Sequence, residues 1–124
     1  MYWDRDVETM ERSKLEEIQR KRFQQVCRVA ARSPYYGKLF REIGLDPNGI
    51  RGLSDIERIP FTTKDNLREH WPYGLVAVSK EELIRMHSSS GTTGRATVIF
   101  HTADDIEAWA QLMARRSEER RVGK

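Results

Sequence analysis

Glycine and proline set the limits of this fold. After Gly44 they recur at Pro47, Gly49, Gly52, Pro60, Pro72 and Gly74, intervals too short for a long helix or strand. The chain therefore divides into an amino-terminal part, an irregular middle and a third part after Gly74. In the first part Leu15, Ile18, Phe23, Val26, Cys27, Val29 and Ala30 recur at helical spacing among Glu16, Glu17, Arg20 and Lys21, which predicts an amphipathic helix over 13–31. It should stop before Ser33-Pro34, because a proline ring disfavours the helical conformation at the residue before it. A shorter helix is predicted over 36–43, with Gly44 as its left-handed cap.

In the middle, Asp46-Pro47-Asn48-Gly49 reads as a turn. Ser54 and Glu57, like Ser79 and Glu82, have the spacing of a capping box. Thr63 is predicted to cap a turn over 64–70, ended by Trp71-Pro72. Two apolar runs, 83–86 and 97–100, then read as strands bracketing a polar loop. Thr102 starts a last helix, with Ile106, Trp109, Ala110 and Met113 on one apolar face. No internal repeat is visible, and the length suits one modest domain or part of one.

Hydrophobic residues make up 38% and charged ones 33%, which predicts a soluble chain with a thin core. The net charge of +3 raises the question of nucleic acid. The surplus sits at the end, in Arg115, Arg116, Arg120, Arg121 and Lys124 against Glu118 and Glu119, and the rest of the chain is balanced. The mixed charges therefore read as solvated helix faces. Cys27 is the single cysteine, so an internal disulfide is excluded and a reducing compartment expected. The first ten residues, with Asp4, Asp6 and Glu8, do not form a secretory signal, and no run reaches the roughly 18 apolar residues of a membrane span. The expectation is a cytoplasmic protein with neither membrane nor nucleic-acid partner.

The chemistry lies between the two strands, in Ser88-Ser89-Ser90-Gly91-Thr92-Thr93-Gly94-Arg95. Glycines let backbone N–H groups approach a ligand, hydroxyls donate to phosphate oxygens, and an arginine adds charge complementarity. The combination suits a polyphosphate. A Walker loop is excluded, because the residue five after Gly91 is Ala96 and a strand follows. Gly91-Thr92-Thr93-Gly94 could also be a nucleic-acid clamp of the GxxG kind, or the stretch a purely structural hairpin loop.

The loop resembles the phosphate-binding signature of the adenylate-forming superfamily. Upstream, Ile59-Pro60-Phe61-Thr62-Thr63-Lys64-Asp65-Asn66-Leu67-Arg68 and Trp71-Pro72-Tyr73-Gly74 resemble the phenylacetate-CoA ligase pattern Leu-Pro-Phe-Thr-Thr-Lys, Asp-Leu-Arg, Tyr-Pro-Phe-Gly. Met1-Tyr2-Trp3, Glu8-Thr9-Met10, Tyr36 and the segment from His87 to Thr102 follow the same order. Trp71 replaces the usual tyrosine, and Arg95-Ala96 replaces Lys-Pro, keeping the cation. The resemblance covers residues 1–116; residues 117–124 depart from the pattern and are expected to be a tail, native or artefactual.

The resemblance implies an α/β fold: an amino-terminal helical segment, then the opening strand, Ser/Thr/Gly loop, strand and helix of a large adenylate-forming domain that is incomplete here, with apolar faces lacking partners. It implies an AMP-forming acid-thiol ligase. A carboxylate, taken as an aryl-acetic acid such as phenylacetate, attacks ATP to give an acyl-adenylate with Mg2+ assisting, and CoA then displaces AMP. Ser89, Ser90, Gly91, Thr92, Thr93, Gly94 and Arg95 are implied as the ATP phosphate site. No catalytic residue and no metal ligand falls within this stretch, so this piece alone is expected to be inactive. Aryl, indolyl and aliphatic acids stay open, as does an acceptor other than CoA, and a homodimer is compatible with the family. His87 is expected to be structural rather than a general base, Lys64, Asp65 and Arg68 surface groups, and Tyr73 and Trp109 packing residues. The rival reading is a small non-enzymatic module whose loop binds an anionic ligand or nucleic acid.

Overall fold

The computed structural model describes residue 2, residues 4–89 and residues 96–122, with side chains described as far as residue 117. A short helix α1, Arg5–Glu8, is capped by Asp4, whose carboxylate accepts from the Val7 N–H at 3.2 Å. Helix α2, Arg12–Ala30, is the predicted amphipathic helix. Its exposed flank carries the pairs Arg12–Glu16 and Lys21–Glu17, which at that exposure contribute little.

Helix α3 runs over Pro34–Glu42, two residues earlier than expected. The reason is that Ser33-Pro34 starts the second helix as well as ending the first. Proline at the first helical position loses no helical hydrogen bond, and the Ser33 hydroxyl accepts from the Tyr36 N–H at 3.3 Å. The same hydroxyl donates to the Ala30 carbonyl at 2.8 Å, so a buried serine pins the corner between α2 and α3. Gly37 permits this close approach, since a Cβ there would lie 2.7 Å from the Ala31 carbonyl oxygen.

The α3 terminus is as expected. Gly44 has φ +64°, its N–H reaches the Arg41 carbonyl at 3.3 Å, and the Leu45 N–H reaches Phe40 at 2.8 Å. These two bonds form a Schellman cap, and they turn Leu45 back onto Phe40. Cys27, Phe40, Leu45 and Ile50 make the buried core, flanked by Phe23, Ala30, Tyr36, Leu39, Ile43 and Ile59. Gln24 of α2 donates to the Ile50 carbonyl and fixes the returning loop.

The turn at Asp46 closes through the Gly49 N–H to the Asp46 carbonyl at 3.0 Å. The next turn, a 3-10 helix over Leu53–Arg58, is held by Asp55 rather than by the expected Ser54 and Glu57. Asp55 reaches back to the N–H groups of Arg51 and Gly52 at 2.9 and 3.2 Å, because the turn starts after Gly52 rather than after Ser54 and so makes Asp55 its third residue. Helix α4, Lys64–Glu69, starts at Thr63, whose N–H goes to Asn66 Oδ1 at 2.8 Å, and His70 ends it. The Tyr35 N–H donates to the Gly74 carbonyl at 2.9 Å and ties this middle stretch to α3. A 3-10 turn over Lys80–Glu82 follows, with Glu82 accepting from the Ser79 N–H at 2.9 Å as its spacing predicts.

Two antiparallel strands come next, β1 over Arg85–Ser88 and β2 over Val98–His101. They begin two residues and one residue later than expected: Leu83 serves the preceding turn, where its N–H bonds the Lys80 carbonyl at 3.2 Å. Helix α5, Ala103–Val122, opens with Thr102 and Asp105 exchanging backbone bonds at 2.8 and 3.2 Å. Arg115 of α5 lies 3.7 Å from Glu8 and brings the last helix against α1. Among the described residues no helix is long and apolar enough to cross a membrane.

Candidate functional site

The register places Arg85 opposite His101, Met86 opposite Phe100, His87 opposite Ile99 and Ser88 opposite Val98. Strand alternation then puts His87 and His101 on one face and Met86 and Phe100 on the other. On the first face the rings of His87 and His101 meet edge to face at 4.9 Å, and Trp109 of α5 covers both, at 5.5 and 5.8 Å. On the other face Tyr73 stacks on Phe100 at 5.1 Å, with Lys80 Nζ 4.3 Å from the centre of its ring. His87, Tyr73 and Trp109 thus pack the hairpin between the middle segment and α5, as expected of them. Arg68 pairs with Asp65 at 3.1 Å on the surface, which accounts for two of the three α4 residues that the sequence singled out, Lys64 being the third.

The hairpin extends one step past Ser88–Val98. The Ser89 N–H donates to the Thr97 carbonyl at 3.0 Å. The Thr97 N–H donates to Ser89 Oγ at 3.2 Å, and the two hydroxyl oxygens lie 2.7 Å apart. Of the residues expected to hold phosphate, Ser89 is the one so placed; Ser90, Gly91, Thr92, Thr93, Gly94 and Arg95 lie outside the described residues. Thr97 was not among the residues the sequence singled out. Its signal was a second hydroxyl at the far end of the loop, hidden within the β-branched run Thr97-Val98-Ile99.

Behind the hairpin a groove of about 620 Å³ runs between α2, the middle segment and the start of α5, with Val29, Leu67, Val76, Val98 and Phe100 among its lining. Beyond it Trp109, Leu112 and Met113 stand exposed along α5. Among the described residues these apolar groups of the carboxy-terminal half are open to solvent, as expected of an incomplete domain. Among the described residues no group of three His, Cys, Asp or Glu side chains could hold a metal ion.

No family model matches the chain. Over 116 residues it is 47% identical to the phenylacetate-coenzyme A ligase of Thermus thermophilus, which covers 93% of this chain and 26% of that protein. Over 110 residues it is 38% identical to the phenylacetate-coenzyme A ligase of Escherichia coli, covering 88% of this chain and 25% of that one. The chain is a relative of the phenylacetate-CoA ligases. It spans about a quarter of the length of these curated relatives.

The family's fold is present too. A 2-hydroxyisobutyryl-CoA ligase crystallised with 2-HIB-AMP and CoA in its thioesterification state matches with a TM-score of 0.82 at 36% identity, over 92% of this chain and 25% of that one. The same ligase in its postadenylation state scores 0.81. The helical segment followed by strand, loop, strand and helix is thus the amino-terminal part of an adenylate-forming CoA ligase fold, as the ligase resemblance implied.

Proposed function

We propose that this chain supplies the phosphate-binding loop of an ATP-dependent ligase that joins CoA to an aryl-acetic acid through an acyl-adenylate. The observation that carries the proposal is the hairpin: β1 and β2 close a loop of hydroxyls and glycines at Ser89 and Thr97, within a fold matched to a ligase that binds an acyl-AMP. Such a loop catalyses by positioning and by donating to developing charge. Ser89, Ser90, Gly91, Thr92, Thr93 and Gly94 would cradle the β- and γ-phosphates, and Arg95 would screen them. Magnesium would arrive on the triphosphate, whose oxygens are its usual ligands. The buried, unpaired Cys27 accords with a reducing, cytoplasmic setting. The preference for an aryl-acetic acid rests on the relatives' names.

The test is titration of the chain with ATP-Mg. Binding that weakens when Gly91 or Gly94 becomes valine supports the loop assignment. Salt-sensitive binding to RNA with no response to ATP would favour the stand-alone module instead. A chain extended to the relatives' full length should release AMP from ATP only when phenylacetate and CoA are both present, while the 124 residues alone should release none.

A further inference from the structure

We infer that Thr97 is a positioning residue for the phosphate site: it fills the acceptor capacity of Ser89 and so aims the Ser89 proton at the anion. This rests on the phosphate-loop reading above.

A serine hydroxyl has one proton to donate and two lone pairs to accept with. Ser89 Oγ receives the Thr97 N–H at 3.2 Å and lies 2.7 Å from Thr97 Oγ1. When the Thr97 hydroxyl donates, both lone pairs of Ser89 are occupied and its single proton is left over. An anion in the loop selects that arrangement, because it accepts protons and offers none. The Thr97 N–H is taken by the Ser89 side chain rather than by a strand carbonyl, and the Ser89 carbonyl accepts from the Ser88 hydroxyl at 3.3 Å. At this step one main-chain bond of the pair remains, from the Ser89 N–H to the Thr97 carbonyl, and the Ser89 hydroxyl replaces the carbonyl as acceptor of the other. Ser89 is exposed and Thr97 half-buried, so these bonds compete with water and add little to stability. Their consequence is directional.

Equilibrium titration of the chain with ATP-Mg, alongside a denaturant midpoint for each variant, tests this. Thr97→Val keeps the shape and loses the hydroxyl; it should raise the dissociation constant roughly two- to tenfold, the worth of one hydrogen bond, with an unchanged midpoint. Thr97→Ser should restore binding. In a Ser89→Ala background Thr97→Val should have no further effect, since it acts only through Ser89. Thr97→Ala serves as a second hydroxyl-free variant if valine disturbs folding. Unaltered binding by both hydroxyl-free variants, or a full additional loss on top of Ser89→Ala, would overturn the positioning role while leaving the loop assignment intact. Failure of the unaltered chain to bind ATP-Mg would overturn the loop assignment itself, and the positioning role with it.

Discussion

The two halves of this molecule are built to different degrees of closure. From α2 to Ile59 the chain folds on itself: Cys27, Phe40, Leu45 and Ile50 are at most 5% exposed, and Ser33, the Schellman cap and Gln24 satisfy the backbone around them. From Ile84 onward all four residues of β1 are exposed, and Trp109, Leu112 and Met113 stand out along α5. What holds the second half together is ring stacking, the hairpin ladder and capping bonds. A core that excludes water tolerates little change, whereas stacked rings at a surface lose only their own contacts. The half that bears the loop is therefore the one least fixed by its own packing.

The largest effect expected from this contrast is at Phe40. Phe40→Ala removes a ring from the centre of the closed half and should cost about 3–5 kcal/mol, enough to unfold much of a small domain. Denaturant unfolding measures it, and Cys27 gives a second readout. Burial pushes the Cys27 thiol above its ordinary value, so a thiol reagent at neutral pH should label it slowly in the unaltered chain and fast in the variant. Met86→Ala, on the exposed strand, should move the midpoint little; an equal loss at both positions would show the halves to be one core. Next is Gly44, whose left-handed conformation an alanine adopts at about 1–2 kcal/mol. Gly44→Asn should cost less than Gly44→Ala, and the reverse order would disprove the cap.

The closed half was legible because its signals are local. Helical spacing located α2, and a glycine lacking a side chain located the α3 terminus. Ser33-Pro34 was read only as a stop, since the rule applied concerns the residue before proline; the same pair also satisfies the rules for a start. Asp55 was missed because the turn starts two residues earlier than read, after Gly52, and a glycine offers no hydroxyl to mark that cap. In the open half, the existence of two strands was evident from β-branched runs, yet their ends depend on cross-strand pairing that a single strand's sequence does not encode. Thr97 escaped notice for the same reason: its significance comes from standing opposite Ser89 in the register. The Ser/Thr/Gly loop suggested phosphate chemistry by composition alone, and of its residues Ser89 falls among those the structure describes.

Within the open half, Trp109→Ala should cost about 0.5–1.5 kcal/mol for each ring pairing lost, less than the change at Phe40 because Trp109 is 45% exposed. Its clearest signature is loss of the near-ultraviolet circular dichroism of the packed indole, with far-ultraviolet helix content retained. If helix content collapses instead, α5 depends on that single contact and the open half is more fragile than its ladder and caps imply.

The smallest effect expected is a pH dependence confined to the closed half. Backbone N–H groups of Arg51 and Gly52 hold the Asp55 carboxyl below its ordinary value, with Arg58 adding to the same direction. A depressed pKa means that the folded state binds the proton less readily than the unfolded chain does. The stabilisation from Asp55 is thus fully present above the unfolded value of about 3.9 and is lost as pH falls through the lower folded value. Denaturant midpoints taken between about pH 2 and pH 6 should fall at the acid end, and Asp55→Asn should shrink that fall while leaving the midpoint near neutrality only slightly lowered. Because water still reaches Asp55, the difference is small, but its location is informative: on acidification the Cys27 labelling rate, taken relative to that of the unfolded chain at the same pH, should rise before the near-ultraviolet signal of Trp109 is disturbed. The opposite order would place the acid-sensitive contact in the open half and assign the 3-10 turn no part in it.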